Sequence, residues 1–125
     1  MKKAVICPNG PKAAGPYSVG MQAGNFLYVS GQIPMTPEGE LVIGDVQDQT
    51  RQVMENIKAI VEAAGYTMAD IVKATVYATS IGDFPRINEI YAQYFGKEPP
   101  ARAFVEVSAL ALGVPVEIEA IAYKE

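Results

Sequence analysis

The feature that most constrains the fold is a change in the spacing of apolar residues along the chain. Between residues 45 and 65 they recur at intervals of three and four, which is the period of one helix face. Asp45 can cap the start of this helix, and Gly65 can end it. On either side, apolar and polar residues alternate as they do in half-buried strands. The pattern predicts a single α+β domain spanning residues 1–125.

Turn residues and periodicity divide the rest of the chain. A second helix is predicted to begin after Asp83 and to end at Gly96. Gly24-Asn25 fits a two-residue hairpin turn, and Gly39 suits a turn that needs a positive φ. Five strands are predicted, at residues 18–23, 26–33, 71–79, about 101–107 and 116–123. The resulting order predicts one sheet with both helices packed on one face.

The other face of that sheet is predicted to be chemically mixed. Apart from the amide of Gln32 and the aliphatic Ile121, its side chains are charged, hydroxyl-bearing or aromatic: Tyr28, Ser30, Lys73, Thr75, Tyr77, Arg102, Phe104, Glu106, Glu117, Glu119 and Tyr123. Such a face is too polar for a dry core and too aromatic for a plain solvated surface. It favours contact with another subunit, with polar groups in clefts at the rim. A wet sheet face with scattered apolar residues is the alternative.

Composition excludes several kinds of chemistry. The chain has no histidine, and its one cysteine is Cys7. A histidine-based triad or acid–base pair is therefore excluded, and an intrachain disulfide cannot form. Zinc and other metals that prefer nitrogen or sulfur lack ligands, so we expect none of them.

Charge and hydropathy narrow the partners and the location. The net charge is -4 and the pI is about 4.8, which disfavours nucleic acid because its phosphates repel an acidic chain. The apolar run near the N-terminus stops at Cys7-Pro8, short of the roughly 7–15 residues of an export signal. No apolar stretch approaches the roughly 20 residues of a membrane span. We expect a cytoplasmic protein.

Arg102 and Glu117 are the first candidates for chemistry. Arg102 follows two prolines and is predicted to point away from the helices, where its planar fork can hold a carboxylate. If the last two strands pair antiparallel, Glu117 shares that face and can position or deprotonate a water molecule. The alternative is an ion pair of Arg102 with Glu106, Glu117 or Glu119.

Further candidates come from turns and from the second helix. Tyr17 follows the Gly15-Pro16 turn and can stack on a planar ligand or donate its hydroxyl, or it can be a core aromatic. Ser30 and Gly31 allow a ligand to approach the backbone closely, or they mark a bulge or tight packing beneath a neighbouring side chain. Asn88 lies away from the apolar stripe of its helix and can reach a ligand or cap a turn.

Five blocks of sequence, taken in order, resemble the Rid family, which is also called the YjgF family. The blocks are residues 15–18 (GPYS), 29–34 (VSGQIP), 56–60 (NIKAI), 100–102 (PAR) and 116–122 (VEIEAIA). Each block is weak alone, but five in register are specific, and they span about Ala14 to Tyr123. The resemblance implies a chorismate-mutase-like α+β fold. It also implies a homotrimer with a central sheet barrel and three clefts between subunits.

The resemblance also implies an activity. Rid deaminases hydrolyse reactive 2-imino acids, such as 2-iminobutanoate and 2-iminopropanoate, to 2-keto acids and ammonia without a cofactor. By position, Arg102 would hold the substrate carboxylate and Glu117 would help to activate water. Tyr17, Ser30, Gly31 and Asn88 would shape the cleft and hold the ligand. Phe104 is a departure, because many deaminase members have a cysteine there, and it makes the site narrower and more apolar.

Three other functions stay open at this point. The same cleft suits a non-catalytic protein that binds a 2-keto acid or an amino acid. Some family members have been described as ribonucleases or translation inhibitors, which the acidic pI and missing histidine disfavour. A purely structural trimer would use Arg102 and the glutamates as an interface ion-pair network.

Overall fold

The computed structural model describes the whole chain, from Met1 to Glu125. Its elements are β1 (Lys2–Ala4), β2 (Gly20–Ala23), β3 (Phe26–Gln32), α1 (Val46–Ala63), β4 (Ile71–Ala78), α2 (Phe84–Tyr91), β5 (Ala101–Glu106) and β6 (Val116–Tyr123). The strands form one mixed sheet in the order β1-β2-β3-β6-β4-β5. Both helices pack on one face of it, which we call the helix face, and the other is the open face. The predicted α+β class is confirmed. The alternation of apolar and polar residues in the sequence does not predict strand β1.

Helix α1 begins and ends where its sequence predicts. The Asp45 carboxylate accepts a hydrogen bond from the Gln47 backbone N–H at 2.8 Å, which caps the first turn. Gly65 follows the helix with φ of 86°, a conformation that costs glycine little. The predicted apolar stripe is buried against the sheet. Local capping and periodicity are therefore sufficient to place this helix.

The core lies between α1 and the three central strands. Aliphatic side chains with no solvent exposure come from α1, β3, β4 and β6, among them Leu27, Val53, Ile60, Val61, Val76, Val116 and Ile118. Because side chains alternate along a strand, burying one side of β6 directs its other side to the open face. Glu117 and Glu119 lie on that open side, paired in register with Tyr77 and Thr75 of β4.

The last two strands do not pair with each other, so the condition under which Arg102 and Glu117 would share a face is not met. Strand β6 lies between β3 and β4 and is antiparallel to both. Strand β5 is parallel to β4 at the sheet edge. The physical reason is the connection through α2, because a helical crossover returns the chain parallel to the strand it left. The other hydrogen-bonding edge of β4 then pairs with β6.

Arg102, Phe104 and Glu106 lie on the helix face, which corrects their predicted orientation. Arg102 and Phe104 pair in register with Ala74 and Val76, whose side chains are buried under the helices. Register partners on adjacent strands point the same way, so β5 presents these residues to α2. The alternation along β5 is predicted correctly, but the two faces are exchanged.

Gln32 is also on the opposite face from the one predicted. The pairing of β3 with β6 shifts register between Val29 and Gln32, as at a β-bulge. An extra residue reverses the parity of all that follow it. Gln32 therefore pairs with the buried Ile118 and is itself buried.

Asp45 links the two helices as well as capping α1, because its carboxylate also pairs with Arg86 of α2. Asp45→Ala removes both interactions and should lower the free energy of unfolding by about 1–2 kcal/mol in urea denaturation. Asp45→Asn keeps a good capping side chain and loses only the exposed ion pair, so it should cost less than about 1 kcal/mol. Equal losses in the two variants would contradict the capping role.

Candidate functional site

A cavity of about 620 Å³ opens beside the carboxylate of Glu117 on the open face. Its walls come from the loop before β2, the end of β3, the loop before β6 and β6 itself: Ala14, Tyr17, Ser30, Gly31, Ile33, Ala111, Leu112, Glu117 and Glu119. Four of the predicted site residues therefore meet here. We call Tyr17, Ser30, Gly31 and Glu117 the glutamate half-site.

Gly31 allows the Glu117 carboxyl group to lie directly against strand β3. A Cβ atom at position 31 would lie 2.9 Å from Cδ of Glu117 and closer still to Oε2, distances that real Cβ atoms essentially never show. Any side chain here would displace the carboxyl group from its place. Gly31 therefore packs tightly beneath a neighbouring side chain as well as lying at the bulge of β3, and that neighbour is a candidate catalytic group.

The hydroxyl groups of Tyr17 and Ser30 are held by the backbone. The Tyr17 hydroxyl accepts a hydrogen bond from the Ala14 N–H at 3.1 Å. Its own proton remains free for a ligand, and its ring is half exposed to the cavity. The Ser30 hydroxyl donates to the carbonyl of Ser18 at 2.6 Å, so toward a ligand it can only accept.

Glu117 is a carboxylate with no hydrogen-bonding partner in the protein. Partial burial raises the pKa of Glu117, and the negative charge of Glu119 raises it further. Glu119 itself accepts a hydrogen bond from the Tyr77 hydroxyl at 3.0 Å. A carboxylate with free lone pairs and a raised pKa is well suited to hold a water molecule and to accept its proton.

Arg102 lies on the other side of the sheet, between β5 and α2. Its Nη1 donates to Oδ1 of Asn88 at 2.7 Å. The guanidinium carbon is 4.8 Å from the ring centroid of Tyr91, 5.3 Å from that of Phe104 and 5.7 Å from that of Phe84. Stacking on aromatic faces stabilises the cation and restricts its orientation. We call Asn88, Arg102 and Phe104 the arginine half-site.

Arg102 has no carboxylate partner within its own chain. The ion pairs of the structure are Lys58–Glu62 and Arg86–Asp45, so the alternative that pairs Arg102 with a glutamate is wrong for the single chain. Asn88 occupies one of its five N–H donors, and the others remain available. An oriented cation with free donors is what binding of a small carboxylate requires.

The two half-sites lie on opposite faces of one sheet, so Arg102 and Glu117 do not meet within one chain. The prediction that they share a face is wrong, for the reason given above for strand β5. The sequence patterns did not predict Leu112 and Tyr91 as neighbours of these sites. Tyr91 lies three residues after Asn88, and that helical spacing is a signal that could have placed them together.

The chain has no candidate metal centre, since no group of three or more His, Cys, Asp or Glu side chains is placed to hold an ion. No helix has the length and apolar character needed to cross a membrane.

Comparison with known proteins identifies the family. The family model described as endoribonuclease L-PSP matches residues 7–124. A RutC family protein of Pyrococcus horikoshii is 58% identical over 126 residues, which cover all of both chains. The structure of YyfA from Yersinia pestis, described as a conserved Rid family protein, superposes with a TM-score of 0.96 at 48% identity, covering 99% of this chain and 100% of that one. The chain belongs to the Rid family.

A third Rid relative carries a functional name. TdcF of Escherichia coli, provisionally named a reactive intermediate deaminase, is 45% identical over 127 residues and covers 99% of this chain and 98% of its own. The crystal structure of TdcF with bound serine superposes on this Rid chain with a TM-score of 0.93. The resemblance inferred from the five sequence blocks is therefore confirmed at the level of family and fold.

The close packing of Gly31 against Glu117 predicts a measurable coupling. Gly31→Ala should lower the free energy of unfolding by about 1 kcal/mol or less, because the new methyl group displaces the carboxyl end of a flexible side chain. Adding Glu117→Ala to Gly31→Ala removes the carboxyl group and should restore much of that loss. Urea denaturation of the single and double variants measures the coupling.

Gly82→Ala provides the control, because the nearest atom to its new Cβ would be at an ordinary 3.6 Å. Additive effects of the Gly31 and Glu117 substitutions would contradict direct packing.

Proposed function

We propose that this Rid protein hydrolyses small 2-imino acids, such as 2-iminobutanoate and 2-iminopropanoate, to 2-keto acids and ammonia. The observation that carries the proposal is the pair of complementary half-sites. One chain holds an oriented, unpaired arginine on one face and an unpaired carboxylate of raised pKa on the other. Two copies of the chain can bring these groups to one ligand.

The arginine half-site supplies the anchor. A 2-imino acid carries a carboxylate beside the reacting carbon, and the free N–H donors of Arg102 match that group. Asn88 and the surrounding aromatic rings hold the guanidinium, so little conformational freedom is lost on binding. Phe104 adds an apolar wall that favours small aliphatic substrates. The anchor acts on the rate by orienting the imine carbon.

The glutamate half-site supplies the water. The carbon of a protonated imine is already electrophilic, so its hydrolysis needs one placed water and few proton transfers. Glu117 would accept a proton from the attacking water as the new C–O bond forms. It would return that proton to nitrogen as the C–N bond breaks and ammonia leaves. As ammonia leaves, the carbinol hydroxyl gives its remaining proton to the Glu117 carboxylate, and its oxygen becomes the carbonyl oxygen of the 2-keto acid. The Tyr17 hydroxyl, whose proton is free, can donate a hydrogen bond to the oxygen of the tetrahedral intermediate and stabilise it.

We propose that the assembly is a homotrimer with a central sheet barrel, in which three clefts each combine the two half-sites of neighbouring copies. Several large apolar side chains remain exposed on the strands: Phe26, Tyr28, Val105 and Tyr123. Phe26 and Tyr123 already pack together, with ring centroids 4.9 Å apart. Contiguous exposed apolar residues mark subunit contacts, and closed rotational symmetry repeats the same cleft at each contact.

Two other functions make different predictions. A non-catalytic protein would bind 2-keto acids in the same cleft, and Glu117→Gln would then have no activity to remove. A ribonuclease, as in the description of the family model, would need to attract phosphate. The paired charges of Glu117 and Glu119 in the larger cavity oppose that attraction.

The direct assay generates 2-iminobutanoate from threonine with a threonine dehydratase and traps it with semicarbazide. The wild-type protein should lower semicarbazone formation by hydrolysing the imine first. Arg102→Ala should lower the rate of imine hydrolysis by at least about 100-fold, because the substrate carboxylate loses a charged double hydrogen bond. Glu117→Gln should lose turnover while it still binds 2-oxobutanoate.

Arg86→Ala is the matched control, since it removes an arginine from the same region without touching either half-site. It should keep wild-type activity. Light scattering should show an unchanged assembly for all three variants. No effect of the wild-type protein on trapping, even at high concentration, would refute the deaminase proposal. Loss of the assembly in Arg102→Ala would favour the structural ion-pair role.

A further inference from the structure

The hydroxyl of Tyr91 is buried without a hydrogen-bonding partner in the protein, and no other buried side-chain polar atom shares this property. The Tyr91 side chain is only 6% exposed. The hydroxyls of Tyr66 and Tyr94, by contrast, donate to the Asn25 carbonyl at 2.9 Å and to the Glu55 carboxylate at 2.6 Å. Burying a hydroxyl without a partner destabilises the fold, so such a group calls for a functional explanation.

Tyr91 lies beside the arginine half-site. It is three residues after Asn88 on α2, and the guanidinium of Arg102 lies over its ring at 4.8 Å. All three residues line one cavity of about 310 Å³. The remaining walls of that cavity carry no charge: Ala92, Phe95, Gly96 and Pro99. Arg102, Asn88 and Tyr91 are therefore its polar groups, and the Asn88 oxygen is already occupied by Arg102.

The protonation state of Tyr91 makes it a donor. Burial raises the pKa of Tyr91, and the nearby positive charge of Arg102 only partly opposes this. The hydroxyl therefore keeps its proton at neutral pH and seeks an acceptor. Beside an arginine whose own donors are free, the acceptor that suits both groups is a carboxylate.

We propose that the Tyr91 hydroxyl is a further substrate-binding group, which donates a hydrogen bond to the ligand carboxylate held by Arg102. Asn88 then acts as the positioning residue that keeps the guanidinium over the Tyr91 ring. The ligand class is a small 2-imino or 2-keto carboxylate, so this inference rests on the proposed function. It adds a neutral donor to the anchor and gives a reason for the buried, unpaired hydroxyl.

Tyr91→Phe removes only the oxygen and tests the proposal. Titration calorimetry with 2-oxobutanoate should show a Kd about tenfold higher than in the wild-type protein, because one hydrogen bond to a charged group is lost. The KM for the imine should rise by a similar factor, with kcat within about twofold. The urea midpoint should not fall, because the variant loses no hydrogen bond of the folded protein.

Tyr94→Phe is the matched control, because it makes the same change three residues further on, where the hydroxyl has a partner. It should lower the urea midpoint and leave the Kd unchanged. If Tyr91→Phe behaves in this same way, the Tyr91 hydroxyl is structural and the inference is overturned while the deaminase proposal stands. If the wild-type protein neither binds 2-oxobutanoate nor hydrolyses the imine, both the inference and the proposed function are overturned.

Discussion

Strand β6 is confined on both edges and on one face, and this confinement determines where the candidate site lies. It is hydrogen-bonded to β3 on one side and to β4 on the other, while Val116 and Ile118 are fully buried beneath the helices. A register shift of one residue would expose these side chains and bury two glutamates. The core packing that stabilises the fold therefore also holds Glu117 on the open face.

The sheet separates the two charges on which the proposed chemistry depends. An arginine and a carboxylate on the same face of one chain would form a structural ion pair, and neither would be free for a ligand. Here Arg102 stacks on aromatic rings and bonds to Asn88, while Glu117 lies against Gly31. Each half-site is oriented within the single chain. In the proposed homotrimer, this arrangement would link ligand binding to assembly.

Features set by local interactions could be predicted from the sequence, and features set by strand pairing could not. The ends of α1 follow from Asp45 and Gly65, which act within one turn of the helix. Alternation divides β5 into two sets of side chains but does not say which set meets the helices. Arg102 can lie on the helix face because its guanidinium packs against aromatic rings. The bulge in β3 turns the Gln32 side chain to the helix face. It could not be predicted either, because it depends on how β3 pairs with β6.

The central claim is that the active cleft combines the two half-sites of different copies. Arg102→Ala and Glu117→Gln chains can be coexpressed with different affinity tags, and the assemblies that carry both tags isolated. Every mixed trimer then contains one intact cleft, so about one third of wild-type imine hydrolysis should return although each variant alone is inactive. If the doubly tagged assemblies stay as inactive as the separate variants, the cleft is not shared between copies and the account is wrong.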